Sequence, residues 1–143
     1  MNSRKPWEEK LKPEQQPHLV EDSRGRGLML VPTPLIVAAE IRRVARGRLI
    51  TPEALRDRLA KRYGAAFTCP MTTGIFLSII AGAAEDQLAR GSRPVAPYWR
   101  VVQTSGVLNP KWPPGPDRQA SHLRAEGHRL ERATRGWRIA GRE

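Results

Sequence analysis

The pattern of apolar positions divides the chain into a polar start and three helical segments. Residues 1–30 are rich in Pro, Lys, Glu and Gln and show no apolar period, which predicts an extended or disordered lead-in. After Pro34, apolar side chains recur every three or four positions, as on one face of a helix: Leu35, Ala38, Ile41 and Ala45. Gly47 predicts the end of this first helix.

The second and third helical segments carry recognisable boundary residues. In "TPEALRDRLAKRYG", residues 51–64, Thr51 is placed to cap the helix, Pro52 to open it and Gly64 to end it. The third helix is predicted within "CPMTTGIFLSIIAGAAEDQLARG", residues 69–91, with Pro70 in its first turn and Gly91 as its terminator. Its apolar side is formed by Ile75, Ile79, Ile80 and Ala83.

The outer faces of these two helices favour a helix-turn-helix. Four basic residues of the second helix point outward, although such a face can also be merely solvated: Arg56, Arg58, Lys61 and Arg62. Mostly small residues line one side of the third helix: Gly74, Ser78, Ala81, Gly82 and Glu85. That side lets the helix approach either a neighbouring helix or the floor of a DNA groove, with Thr72 and Thr73 at its start.

After residue 91 the helical spacing of apolar residues ends, and aromatic residues become frequent. The stretch "VAPYWRVVQTSGVLNPKWPPG", residues 95–115, holds three of the six Tyr and Trp residues of the chain: Tyr98, Trp99 and Trp112. Their rings either fill the core or contact a flat ligand such as a base. The last residues, 128–143, predict a short basic hairpin or tail. We therefore expect one mainly α domain with minor β over residues 31–127, between the lead-in and this hairpin.

The balance of charge indicates a polyanionic partner. The 143 residues include 25 Lys and Arg against 14 Asp and Glu, which gives a formal net charge of +11 at pH 7. Residues 31–70 carry 8 basic and 3 acidic side chains, and residues 98–143 carry 9 and 4. Arg, which makes planar bidentate contacts with phosphate, dominates both regions. A polyanion is the natural partner of such a chain.

Other classes of site and partner are not expected. The single cysteine, Cys69, excludes an intrachain disulfide and a cysteine-based zinc finger, and the three histidines are too far apart in sequence for a helical ligand pair. No apolar run approaches the roughly 20 residues that span a bilayer. We expect no metal, no cofactor and no membrane partner, and a cytoplasmic, nucleoid-associated location.

Separated motifs occur in the order found in one DNA-repair family. Pro97, the run Arg100–Val102 and the turn Ser105-Gly106 are followed later by "AEGH", residues 125–128. This resembles the O6-alkylguanine-DNA alkyltransferases, whose signature P-C-H-R-V-[IV] precedes a Ser-Gly turn and an A-E-G-H-like helix end. "GRLITPEALRDRLA" stands where the family enters its helix-turn-helix. The resemblance implies a winged-helix-like helix-turn-helix domain, as in the C-terminal domain of these enzymes.

The nucleophile and the base of that family are replaced in this chain. Tyr98 stands at the cysteine position and Trp99 at the histidine position, so only Glu126 of the Cys-His-Glu relay remains. An unperturbed tyrosine has a pKa near 10, so a neutral phenol and no alkyl transfer are expected. The combination resembles the alkyltransferase-like proteins. These bind the minor groove, flip O6-alkylguanine into the old pocket, hold it unrepaired and mark it for nucleotide excision repair.

The resemblance and the basic faces together predict two groups of residues. The lesion pocket comprises Tyr98, Trp99, Arg100, Val101, Trp112 and Glu126. The DNA-contacting set comprises Thr51, Arg56, Lys61, Arg62, Thr72, Thr73, Gly74, Ser78, Arg100 and Lys111. Core packing is preferred for Trp99, core and pocket are weighed equally for Trp112, and Glu126 is expected to brace the loop.

Two positions that serve base flipping in the family are replaced in this chain, and three alternative functions stay open. Thr73 or Gly74 stands where the family has an arginine finger, and Pro52 where it has a tyrosine that assists phosphate rotation. The alternatives to a monomeric damage sensor are a general or architectural DNA-binding module, a lyase or glycosylase that uses Glu126 in the same pocket, and a protein-interaction module.

Overall fold

Four α-helices and two small β-sheets form the computed structural model, which describes residues 7–141. The helices are α1, Pro34–Arg42; α2, Pro52–Arg62; α3, Pro70–Ala89; and α4, Pro116–Ala125. The strands are β1, His18–Glu21; β2, Leu28–Val31; β3, Phe67–Thr68; β4, Leu130–Ala133; and β5, Gly136–Ile139. Short 3₁₀ helices cover Trp7–Leu11 and Tyr98–Arg100. The predicted mainly α fold with minor β is confirmed.

The helices begin where local capping chemistry places them. The side-chain oxygens of Thr33 and Thr51 accept hydrogen bonds from backbone N–H groups three residues later, at 3.3 and 3.1 Å, and so cap α1 and α2. All four helices begin with Pro, whose missing N–H costs nothing in the first turn. At the start of α3 the cap is Cys69, whose Sγ accepts a hydrogen bond from the N–H of Thr72 at 3.5 Å.

The N-terminal segment belongs to the folded domain, which corrects the predicted lead-in for residues 7–30. β1 pairs antiparallel with β2, and β2 pairs in parallel with β3, which follows α2. The 3₁₀ helix Trp7–Leu11 packs on α3. Strands of four residues are too short to show a period of their own, and the pairing of β2 with β3 is non-local. Residues 1–6 of the predicted lead-in lie outside the described residues.

The core forms where α3 passes between the other elements. Its second half is enclosed on all sides, since Ile80, Ala81, Gly82, Ala83 and Ala84 are all buried. Gly82 faces the indole of Trp7, so the small-residue side of this half packs against a neighbouring element rather than DNA. α3 is twenty residues long. Nevertheless, none of the helices within residues 7–141 has the length and apolar character needed to cross a membrane.

The connection from α2 to α3 is longer than the turn of three or four residues that is typical of a helix-turn-helix. It runs from residue 63 to residue 69 and contains β3. The hydroxyl of Thr68 donates a hydrogen bond to the backbone oxygen of Arg56 at 2.8 Å, which fixes the start of α3 beside the middle of α2. The two helices therefore present neighbouring surfaces.

The C-terminal hairpin of β4 and β5 is present and joined to the rest of the domain. The backbone N–H of Leu108 donates to the oxygen of Trp137, and the N–H of Ile139 donates to the oxygen of Gly106, each at 2.9 Å. The guanidinium groups of Arg124 and Arg132 lie 4.7 and 4.5 Å from the centre of the Trp137 ring. These two arginines therefore pack on protein, and residues 142–143 of the predicted hairpin lie outside the described part.

The variant Gly82→Ala is expected to lower the free energy of unfolding. Its Cβ would lie 2.5 Å from Cγ of Trp7, and overpacking of this kind typically costs about 1–3 kcal/mol. Urea denaturation measures the change. Gly74→Ala is the matched control, because a Cβ there meets no neighbouring group within 4 Å. Wild-type stability in Gly82→Ala would show that Trp7 does not pack on α3.

Candidate nucleic-acid interface

The carboxylate of Glu126, which follows α4 directly, joins three segments of the chain. It accepts hydrogen bonds from Nε1 of Trp99 at 2.8 Å, from Nη2 of Arg100 at 2.8 Å and from the backbone N–H of Gly47 at 3.0 Å. Arg100 also donates to the backbone oxygen of Val44 at 2.6 Å. An indole N–H donates as an imidazole N–H does but has no basic nitrogen, so Trp99 cannot accept a proton.

These contacts keep Glu126 ionised. Burial alone would raise its pKa, since its side chain is only 2% exposed, but the hydrogen bonds from Arg100, Trp99 and Gly47 lower the pKa to about 2. Both carboxylate oxygens have donors. Glu126 is therefore a fixed acceptor that braces the loop, and the alternative of Glu126 as a general acid or base loses support.

Tyr98 lies in the core. It is 1% exposed, and its ring packs edge-on against Trp99 and Trp112 with centroid distances of 5.4 and 6.2 Å. Its hydroxyl donates a hydrogen bond to Oε2 of Glu85 at 2.6 Å. Burial, reinforced by this hydrogen bond, raises the pKa of Tyr98 well above its ordinary value. The phenol stays protonated.

Glu85, on α3, is the polar centre of this aromatic cluster. Besides Tyr98, its carboxylate contacts Nε2 of His122 at 2.7 Å and accepts a hydrogen bond from Nε of Arg118 at 3.1 Å, both on α4. The His122 ring stacks on Trp99 at 4.1 Å. Sequence reasoning missed this cluster. The available signal was Glu85 itself, because a carboxylate on the small-residue side of a helix that packs closely against a neighbour requires buried partners.

The structure brings the predicted lesion-pocket residues together but leaves them closed. Trp99, Val101 and Trp112 are buried in the core with Tyr98. Trp99 and Trp112 therefore pack in the core. Tyr98, which was predicted to line the lesion pocket, is buried in the core as well. A ring that is 1% exposed offers no face on which a base could stack. Arg100 is likewise held by Glu126 and Val44 rather than directed at a phosphate.

Among the predicted DNA-contacting residues, the basic side chains of α2 lie on an open surface. A cleft of about 410 Å³ between α1 and α2, termed the basic cleft, is lined by Glu40, Arg43, Arg58, Lys61 and Arg62. The buried Glu40 is neutralised by Arg62, which donates two hydrogen bonds to it at 2.8 and 3.2 Å. Within residues 7–141, Arg43, Arg58 and Lys61 form no ion pair.

The remaining predicted contacts fall into accessible and inaccessible positions. Gly74 and Lys111 are exposed, whereas Thr51, Arg56, Thr72 and Ser78 are half-buried. Thr73 is fully buried, and its hydroxyl donates to the backbone oxygen of Cys69 at 2.8 Å, which corrects its assignment to the DNA surface. Ile75 was expected on the apolar inner side of α3. The structure exposes it together with Met71.

Comparisons with known proteins give one structural likeness. No family model matches the chain, and no curated protein matches its sequence. Among solved structures, S. pombe Atl1, in complex with damaged DNA containing O6-carboxymethylguanine, is similar at 17% identity with a TM-score of 0.48. The match covers 72% of this chain and 83% of that chain. A likeness at this level does not assign a function.

The variant Glu126→Gln is expected to change how stability depends on pH. A carboxylate whose pKa is lowered to about 2 in the folded state stabilises the protein above its unfolded pKa, and this contribution is lost as pH falls toward 2. The difference in unfolding free energy between wild type and variant should therefore shrink by on the order of 3 kcal/mol between about pH 5 and 2. Urea denaturation at stepped pH measures it, and a constant difference would contradict the lowered pKa.

Proposed function

We propose that the protein binds double-stranded DNA through α2 and the start of α3 and performs no chemistry on it. The observation that carries this proposal is the basic cleft, where Arg43, Arg58 and Lys61 stand without acidic partners among residues 7–141. The formal net charge of +11 adds long-range attraction to a polyanion. Phosphates would supply the partners that these side chains lack and release counterions on binding.

The absence of alkyl transfer in this proposal follows from the state of Tyr98 and its neighbours. A nucleophile needs a lowered pKa or an adjacent base. Burial and the hydrogen bond to Glu85 raise the pKa of Tyr98, and Trp99 has no basic nitrogen with which to take a proton. Glu126 is fully occupied as an acceptor. The proposal is therefore recognition without reaction.

The preference for alkylated guanine rests on the sequence motifs. Pro97, Arg100–Val102, Ser105-Gly106 and residues 125–128 resemble the alkyltransferase signature. The link between Trp99 and Glu126 at 2.8 Å supports this, since it joins the two positions that the resemblance assigns to the family's histidine and glutamate. A damaged base pair is also cheaper to unstack than an intact one, so a protein that deforms DNA prefers it.

The biological role that we propose is a monomeric damage marker. A lesion that is held and not repaired needs a second activity to remove it, and the resemblance implies nucleotide excision repair. The proposed location is the cytoplasm, in association with the nucleoid.

The closed aromatic cluster favours a second candidate function, general DNA binding without damage preference. Tyr98 contacts Trp99, Trp112 and Glu85 instead of facing an open pocket. Entry of a base would require these contacts to separate. A protein that neither opens these contacts nor deforms the duplex would bind damaged and intact duplexes equally.

Competition titrations of matched duplexes with and without one O6-methylguanine, at about 0.15 M salt, test the proposal. We expect tighter binding to the damaged duplex and an affinity that falls steeply with salt. Lys61→Ala should weaken binding to both duplexes and reduce the slope of log affinity against log salt by about 1. Arg135→Ala is the control, because it removes the same charge at the hairpin turn, outside the basic cleft.

The possible outcomes separate the parts of the proposal. Equal affinity for both duplexes would remove the damage preference and leave general DNA binding. An affinity that is independent of salt and of Lys61 would reject DNA binding through the basic cleft.

A further inference from the structure

The start of α3 carries two large apolar side chains that the fold leaves outside its core. Met71 is 75% exposed and Ile75 is 55% exposed. They are four residues apart, so they lie on the same side of the helix, and we term the pair the α3 ridge. The other large exposed hydrophobic residues in the described part, Leu19 and Leu28, are less exposed and lie on β1 and β2.

The surface around the α3 ridge is open, lacks acidic side chains within residues 70–84 and includes two lysines, which suits contact with a nucleic acid. Gly74 lies between its two members, and a Cβ there would meet no neighbouring group within 4 Å. Residues 70–84 include no acidic side chain that would repel phosphate. Lys10 and Lys12 line the same groove as Ile75.

The α3 ridge also lies next to the surface for which DNA binding is proposed. The hydrogen bond from Thr68 to the backbone oxygen of Arg56 joins the start of α3 to the middle of α2. Lys10 and Lys12, which line the same groove as Ile75, place positive charge beside the ridge. An apolar ridge next to basic side chains fits a base step next to a phosphate strand.

We propose that Met71 and Ile75 insert into the base stack of bound DNA and hold a base step open. This inference rests on the proposed function and specifies how that surface engages the duplex. Met and Ile are side chains that minor-groove proteins use as apolar wedges, which partly unstack a step and kink the duplex. Their transfer from water to the space between bases offsets part of the unstacking cost.

The wedge accounts for damage preference with the aromatic cluster closed. A duplex with a weakened pair at the lesion costs less to unstack, so the same insertion is more favourable there. Discrimination then arises from the deformation of DNA, and Tyr98 need not contact the lesion.

Fluorescence of 2-aminopurine placed beside O6-methylguanine in a duplex tests the wedge, because this base analogue brightens when it unstacks. Wild type is expected to raise the fluorescence on binding. Met71→Ala/Ile75→Ala should lose the rise, while its affinity, carried by phosphate contacts, falls by less than about tenfold. Met71→Leu/Ile75→Leu keeps the apolar bulk and should retain the rise.

Two further measurements keep the interpretation unambiguous. Leu19→Ala/Leu28→Ala is the matched control, since it removes exposed apolar surface away from α3 and should leave the fluorescence rise unchanged. Circular dichroism should show the same helix content in all variants, because the substituted side chains are exposed.

The outcomes distinguish the wedge from the proposed function. A fluorescence rise that persists in Met71→Ala/Ile75→Ala would overturn the wedge and leave DNA binding intact. Failure of wild type to bind any duplex would reject both. A wild-type dimer in sedimentation that becomes monomeric in the same double variant would assign the ridge to self-association and also overturn the wedge.

Discussion

The buried ion pair between Arg100 and Glu126 holds the candidate site together. It joins the 3₁₀ helix Tyr98–Arg100 to the end of α4, and the backbone N–H of Gly47 adds the segment between α1 and α2. Removing one partner of such a pair leaves a buried charge, which typically costs about 3–5 kcal/mol. The geometry of the loop, and hence the position of Tyr98 and Trp99, depends on this contact.

A second buried carboxylate, that of Glu85, holds the aromatic residues of the predicted lesion pocket in a closed cluster. Glu85 accepts a hydrogen bond from the Tyr98 hydroxyl and contacts His122 and Arg118. It therefore connects α3, α4 and the aromatic residues. The two carboxylates hold different parts of this region in place. Glu126 fixes the loop, and Glu85 fixes the aromatic cluster. Together they turn the region around Tyr98 and Trp99 into packed core, and the proposed binding surface lies outside this region, on α2 and α3.

Local signals predicted α2 and α3 well, because caps and terminators act over three or four residues. By contrast, α1 ends at Arg42, before the predicted Gly47, and α4 was not predicted. Thr51, Pro52 and Gly64 are sufficient to place α2. The N-terminal sheet could not be found in this way, since β2 pairs with β3 across the 35 residues 32–66, which include α1 and α2. The sequence also did not show which side of α3 faces the core. A helix that is apolar on all sides does not show which face is buried, so Ile75 was placed inside.

The sequence predicted which motif residues lie close together but not whether they are accessible. The motif brought Tyr98, Trp99, Arg100 and Glu126 together correctly. Whether aromatic side chains open onto a pocket depends on what fills the space between them, and here Glu85 and His122, which lie 37 residues apart, do so. No periodic pattern in the sequence predicts contact between two residues that are this far apart. Only part of the basic cleft was predicted: the charges of α2 were evident from the sequence, whereas the contribution of Arg43, which directly follows α1, was not.

The central claim is that duplex DNA binds to α2 and the start of α3 while the aromatic cluster stays closed. Two-dimensional NMR of the ¹⁵N-labelled protein, titrated with a duplex that contains O6-methylguanine, tests it most directly. The account predicts shifts of the Lys61, Met71 and Ile75 amide signals and a Trp99 indole N–H signal that stays in place on Glu126. A displaced Trp99 signal with unmoved α2 and α3 signals would contradict it.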